Sequence, residues 1–285
     1  MQNNLALDRY PLEGPVQSLA AFEQGIAFSE QRGLAGMAAG LAGNCPGLLV
    51  ELGRTEEALE RAARLAVAAE ASGDTWALIE LRAVELTIHL DQGDTQDATG
   101  RADWLLETAR EQAAVDGSVL ALAAAAAARL TAGQPEQARA LLNELEKTAG
   151  ARDTLYYARQ LPWMVRTALA AGHPSLAHAL VDGLQPLFPL HEHALTSAQA
   201  QLAEAAGDHA QAAALYAEAA ERWHQVGNIP EHAHALLGHG RCLLALGHAG
   251  AELPLTEARE LFSLMGYRPA IAEAEALLEQ TTAAA

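Results

Sequence analysis

The sequence predicts an all-α chain: a right-handed α-α superhelix (solenoid) of about six to seven helix hairpins, with a period of about 40 residues. Three observations predict it. Glycines in similar surroundings fall at Gly14, Gly53, Gly93, Gly133, Gly172, Gly207 and Gly247, in steps of 39, 40, 40, 39, 35 and 40 residues. A near-constant step of that size marks stacked supersecondary units. Five residues after five successive turn glycines the chain has alanine, at Ala58, Ala98, Ala138, Ala177 and Ala212. Four residues further on come Ala62, Ala102, Leu142, Val181 and Tyr216. These positions share one helical face, and a small residue there lets paired helices approach closely. Finally, the chain is 51% hydrophobic but only 5% aromatic. Alanine, the best helix former, dominates, and no segment alternates with period two, so no sheet is expected.

The unit is clearest from Leu202 to Trp223. One helix ends at Gly207, Asp208 can cap the next, and that helix carries Ala212, Tyr216, Ala219 and Ala220 on one face. Residues 1–13 form a polar extension too short for a helix pair, and residues 14–280 form the repeat domain. The helix over 15–32, with Leu19, Phe22 and Ile26 on one face, reads as the second member of a pair whose first member is missing. Either the chain was cut from a longer protein, or residues 3–10 fold back as a cap, or a second copy covers the face. The next helix, 34–52, carries Gly36, Gly40, Gly43 and Gly47 as a stripe that suits close packing, and Pro46 should kink it.

Helices then follow at 55–72, 75–92, 95–114, 118–132 and 135–149. Thr55 and Thr95 are candidate caps, and Trp76 and Trp104 read as core fillers. Pro135 and Pro174 suit first turns. Gly33, Gly73, Gly150, Gly227 and Gly266 are stop signals. Helices at 152–171 and 174–187 precede an interruption at 183–193, where two prolines and the short 35-residue step suggest a bend. Helices at 191–206, 209–226, 229–246, 254–265 and 268–280 complete the array, and 281–285 reads as a disordered tail.

With the turn glycine Gly207 as reference, Ala212, Tyr216 and Ala219 match the signature spacing of tetratricopeptide repeats, and the chain resembles that family over about 14–280. The early Trp and Tyr of the family are absent from most first helices, and the step exceeds the family's 34 residues. In both respects the chain resembles the longer repeats in the C-terminal regions of bacterial signalling ATPases: LuxR-type transcriptional activators and adenylate-cyclase-linked proteins. The resemblance is strongest in Ala233–Gly238, Leu243–Gly247, Glu257–Phe262, Met265-Gly266 and Ala274–Leu278. It implies a non-enzymatic, cytoplasmic scaffold for protein–protein interaction or effector sensing in a bacterial regulatory system, with first helices lining a concave groove. The ATPase, cyclase and DNA-binding parts are absent from this sequence.

Leu155 to Arg166, LYYARQLPWMVR, departs from the aromatic-poor pattern. Counting back from Gly172 puts Arg159, Pro162 and Arg166 on the groove side, and Gln201 and Arg241 occupy the equivalent place in the next two first helices. Arginine recognises carboxylates through two parallel bonds, and Tyr or Trp gives rigid contact area. Tyr156, Arg159, Trp163, Arg166, Gln201 and Arg241 are therefore the candidate contacts for a peptide or partner helix. The other reading has Tyr156, Trp163 and Met164 filling a wide inter-repeat gap while the arginines pair with local acids.

With 36 acidic and 18 basic residues the chain carries a formal charge of −18, which argues against direct binding to nucleic acid or anionic membrane. Cys45 and Cys242 form no CxxC pair and read as reduced cytosolic thiols. No signal peptide is evident at the N-terminus. The apolar run Val119–Ala128 is about half the roughly 20 residues a bilayer needs. The only lysine is Lys147, so there is no Walker A loop. GxSxG and HExxH are likewise missing, and nothing singles out a general acid and base. His239 and Cys242 could converge, but the histidines near the end read as scattered. No catalytic residue, metal or cofactor is expected. Self-association as a homodimer through the N-terminal helix is the alternative role, and a metal-dependent enzyme a more distant one.

Overall fold

The computed structural model describes residues 9–284, with side chains to 281. Residues 1–8, most of the segment expected to cap the array, and Ala285 lie outside them. Fifteen α-helices and no strand occur among the described residues. The first half contains α1 (Pro15–Gln31), α2 (Ala35–Gly43), α3 (Cys45–Glu51), α4 (Thr55–Ser72), α5 (Thr75–Asp91), α6 (Ala98–Gln112), α7 (Val115–Thr131) and α8 (Pro135–Lys147). The second contains α9 (Leu155–Ala170), α10 (Pro174–Val181), α11 (Pro189–Ala205), α12 (His209–Val226), α13 (Ile229–Ala245), α14 (Glu252–Met265) and α15 (Arg268–Ala284). The last helix thus runs into the segment expected as a tail.

The bends are where the glycine register puts them. All seven turn glycines have φ between +70° and +85°, a region that only glycine enters without a Cβ penalty. The alanine register is the packing face: Ala58, Ala138, Ala177 and Ala212 are wholly buried, and so are Ala62, Ala102 and Leu142. The apolar run Val119–Ala128 is buried throughout its length in α7, which packs between α5 and α9. It is a helix enclosed by neighbours, and no helix among the described residues is long and apolar enough to cross a membrane.

Several local expectations are corrected. Pro46 does more than kink its helix: the helix stops at Gly43 and a new one starts at Cys45, with proline in its first turn, where its missing N–H costs nothing. Thr55 makes no cap bond to its own helix. Asp74, Thr154, Asp208 and Asn228 are the side chains that cap. Trp76 and Trp104 are not core residues: Trp76 is half-buried and Trp104 exposed. The stretch 182–188 is irregular, and α10 stops at Val181.

The array does not stay open. The first helices of the hairpins (α3, α5, α7, α9, α11 and α13) follow one another around an axis until α13 meets α3. The seam is specific. Thr55 Oγ1 donates to the carbonyl of Met265 at 3.1 Å, Gln92 Nε2 donates to the same carbonyl at 3.4 Å, and Arg268 Nε donates to the carbonyl of Gln92 at 2.6 Å. Two of its bends are glycines because the facing chain is so close. A Cβ on Gly14 would lie 2.7 Å from the Val226 carbonyl oxygen, and one on Gly53 3.3 Å from Ile229. The face expected to be free on the first helix is covered by the helices that follow it: α1 packs against α2 and α3, and Leu19 and Phe22 are 4% and 1% exposed. A further short helical stretch, residues 9–13, folds onto α3, burying Tyr10, whose hydroxyl donates to Glu51 at 2.8 Å.

Candidate functional site

Closure turns the concave side of the array into an axial cavity with three compartments. A wide mouth of about 1410 Å³ opens beside α2, α4 and α5. A neck of about 140 Å³ lies behind it, and a rear compartment of about 360 Å³ lies beyond, between α9, α11 and α13. Glu80 and Tyr156 line both mouth and neck, while Arg166, Glu231 and His234 line both neck and rear.

All six candidate contacts face this cavity: Tyr156, Arg159, Trp163 and Arg166 in the neck, and Gln201 and Arg241 in the rear. The helix phase explains this. Residues 156, 159, 163 and 166 are spaced three and four apart on α9, so they share a stripe. Pro162, expected on that stripe, is instead buried within α9. Met164 is likewise a core residue, 1% exposed.

The arginines are not free hooks for a ligand carboxylate. Arg159 donates through Nε and Nη2 to Glu51 Oε1 at 2.8 and 2.6 Å. Arg166 makes a two-pronged pair with Glu231 at 2.8 and 2.6 Å. Arg241 does the same with Glu204 at 2.6 and 2.8 Å and also reaches Glu273. Two of these pairs tie distant parts of the chain: Arg159 joins α9 to α3, and Arg166 joins α9 to α13. Arg159 comes close because Gly47 has no side chain; a Cβ there would lie 3.0 Å from its Nη2. The rest of the glycine stripe departs from expectation. Gly36, Gly40 and Gly43 have nothing within 4 Å of a built Cβ. They leave room instead of closing it, as part of the wall of the mouth.

Acid exceeds base in the neck. Its walls hold four carboxylates (Glu51, Glu80, Asp91 and Glu231) against two guanidiniums. Burial pushes Glu51 and Glu80 above the usual carboxylate range, although Arg159 and the tyrosine hydroxyls beside them pull the other way. Burial, reinforced by the nearby Glu231, pushes Asp91 up to about 7 against the opposing pull of Arg166. His234 is held well below its ordinary value by burial and by Arg166 and Arg241. Tyr267, 1% exposed, faces Asp91 but completes no hydrogen bond of good geometry.

These acids were missed in the sequence because acidic residues are everywhere in it. One signal was available: Glu80, Val84, Thr87 and Asp91 are spaced 4, 3 and 4 apart, a single face of a first helix. In the mouth, Asp74, Glu80, Asp116 and Asp153 face the opening alongside Trp76, Leu155 and Phe188, and no Lys or Arg is among the residues that line it. Trp76 stands edge-on to Tyr156 with ring centroids 6.0 Å apart.

Elsewhere there is little reactive chemistry. No group of three His, Cys, Asp or Glu side chains is placed to hold a metal among the described residues. Cys45 and Cys242 are buried and unpaired, and burial pushes their thiols up to about 11 and about 12, so neither is an available nucleophile. His232 bonds the Ala220 carbonyl and faces Glu257.

No family model matches the chain, and no curated protein matches it. Among solved structures, one similar to it is the crystal structure of a tetratricopeptide repeat protein from Parabacteroides merdae. The two share 17% identity over 99% of this chain and 97% of that one, with a TM-score of 0.47. The helical-repeat fold rests on the helices and bends themselves.

Proposed function

We propose that this chain is a non-enzymatic, cytoplasmic binding scaffold of a bacterial regulatory system, which takes a basic, apolar peptide segment of a partner protein in the mouth of its axial cavity. The observation that carries this reading is the lining of the mouth: apolar walls, an open floor over the glycines of α2, and four carboxylates with no Lys or Arg among them. Complementary charge steers such a partner and fixes its register. The aromatic pair Trp76 and Tyr156 supplies rigid contact area.

A partner helix or peptide enters only as far as Tyr156 and Glu80, because the Arg159–Glu51 and Arg166–Glu231 pairs stand in the neck beyond. Of the six candidate contacts, Tyr156 is therefore the one retained for the peptide. Trp163, Arg159, Arg166, Gln201 and Arg241 form the inner wall. The setting suggested by the end of the sequence is the regulatory region of a LuxR-type activator or a cyclase-linked protein. Self-association through Phe22 and Ile26 is disfavoured, because Phe22 is covered in the single chain.

The test compares two fluorescent peptides of equal length, one alternating Leu and Lys, the other Leu and Glu. Wild type is expected to bind the basic peptide alone, with affinity falling as salt rises. Asp116→Lys together with Asp153→Lys is expected to weaken that binding about tenfold or more. Equal binding of both peptides, or no loss in the variant, contradicts the reading.

A further inference from the structure

The neck contains a second binding feature, which shares Glu80 and Tyr156 with the mouth. Its charges fall into two clusters of the same composition. In one, Arg159 pairs with Glu51 and also pulls on the carboxyl of Glu80. In the other, Arg166 pairs with Glu231 and also pulls on the carboxyl of Asp91. Each cluster has one guanidinium and two carboxyl groups, so each carries one uncompensated negative charge at a pH where both carboxyls are ionised. An isolated charge away from water is costly unless something of opposite sign accompanies it.

The clusters are separated by a fixed length of helix. Arg159 and Arg166 lie seven residues apart on α9, roughly 10 Å along its axis, and Glu80 and Asp91 lie eleven apart on α5, roughly 16 Å. Between the acids the α5 face presents Val84 and Thr87, and the opposite wall presents Trp163. A second observation points to a ligand at the same place. The Tyr267 hydroxyl is buried, lines the neck beside Asp91, and completes no hydrogen bond of good geometry. Buried hydroxyls are seldom left so. The neck, at about 140 Å³, has room for roughly ten water-sized positions.

From this arrangement we infer that the neck binds a linear aliphatic polyamine. One protonated end sits between Glu80 and the Tyr156 ring, and the other reaches Asp91 and Tyr267. The methylene chain lies along Val84 and Trp163. The two terminal ammonium groups match the two uncompensated charges, and in a triamine the inner ammonium lies against Trp163, where a cation over an aromatic face gains a cation–π term. Divalent metal does not fit the same lining, because no three of its acidic or imidazole side chains converge as metal ligands among the described residues. The inference goes beyond the peptide reading; because the two share Glu80 and Tyr156, it is tested with no peptide present.

Isothermal titration calorimetry of the full chain with spermidine, putrescine and magnesium chloride tests it, at fixed salt and pH 8. Three proteins are compared: wild type, Glu80→Gln with Asp91→Asn, and Glu107→Gln with Glu111→Gln, which removes the same charge from exposed positions of α6. Gln and Asn are neutral and nearly isosteric, so the neck variant keeps its fold, which circular dichroism checks. Spermidine is expected to bind wild type and the α6 variant alike, at least about tenfold more tightly than the neck variant. Putrescine, too short to span both clusters, is expected to bind more weakly than spermidine. The inference is overturned if wild type binds no spermidine, if all three proteins bind it equally through diffuse attraction to a chain of charge −18, or if putrescine or magnesium matches it. The peptide reading is scored separately by its own anisotropy measurement.

Discussion

Replacing Arg166 by Glu is expected to cost about 3–5 kcal/mol of folding stability, read as a lowered urea midpoint with an unchanged slope. Its guanidinium holds Glu231 through two bonds across the cavity, and the two side chains are 24% and 12% exposed. Reversal removes the only guanidinium of that cluster and sets a third carboxylate beside Glu231 and Asp91. Breaking one partner of such a pair leaves the other charge buried and alone, whereas replacing both with apolar groups of similar size is often nearly neutral. Arg166→Met with Glu231→Leu is therefore expected to lose less than half of what Arg166→Glu loses. A reversal variant with the wild-type midpoint would show that the pair does not stand inside a closed cavity. The same reasoning makes charge reversal at Arg159 or Arg166 a poor probe of partner binding, since each substitution perturbs the ring that forms the site.

Asp91→Asn should act in the opposite direction, by an amount that grows as pH rises from about 4 to 7. The folded carboxyl titrates at about 7, against roughly 3.9 in an unfolded chain. Between those values the folded protein holds a proton that the unfolded chain has released, so stability falls as pH rises through this window, and the full cost is present above it. Asn carries no charge and removes that cost. At pH 8 the variant should exceed wild type by about 1–3 kcal/mol, a discount on the ~1.36 kcal/mol per pKa unit that allows for the partial solvation of the neck. At pH 5, about a third of the way through that window, the difference should shrink to roughly a third of its pH 8 value, and it should vanish only below the unfolded pKa. Thermal unfolding at the two pH values checks this, and an equal gain at both would mean that the carboxyl is not held near 7. Glu51 and Glu80 are raised as well, so wild type itself should lose stability with rising pH, and the comparison with Asp91→Asn isolates one contributor.

Helix identity and hairpin bends were legible in the sequence for definite physical reasons. A helix that must reverse within a residue or two demands positive φ, and glycine supplies it; Gly53, Gly93, Gly133 and Gly207 fall on that demand. Helices that must lie close demand alanine, and Ala58, Ala138 and Ala212 fall on that one. The stripe on α9 was legible too, because Tyr156, Arg159, Trp163 and Arg166 share a helical phase. What the side chains meet was not legible. Arg159 finds Glu51 across 108 residues and Arg166 finds Glu231 across 65. Such partners depend on how far each hairpin rotates about the superhelix axis, which no local pattern encodes. The glycines of α2 illustrate the same limit. Their spacing is that of close helix packing, yet three of the four border open space, because α2 ends where Pro46 restarts the helix and its glycine face borders the mouth. Thr55 reads locally as a cap, and its hydroxyl is taken by Met265 across the seam.

Closure of the array is the claim on which the cavity, the ion pairs and both binding readings depend. It is tested most directly by the distance between nitroxide labels at Arg54→Cys and Leu264→Cys. Both positions are exposed, and they flank the Thr55–Met265 contact. Pulsed dipolar spectroscopy should give a single, narrow, short distance for the closed chain. An open array, with five hairpins stacked at about 10 Å each, would place the labels on the order of 50 Å apart, and a distance in that range would contradict the account.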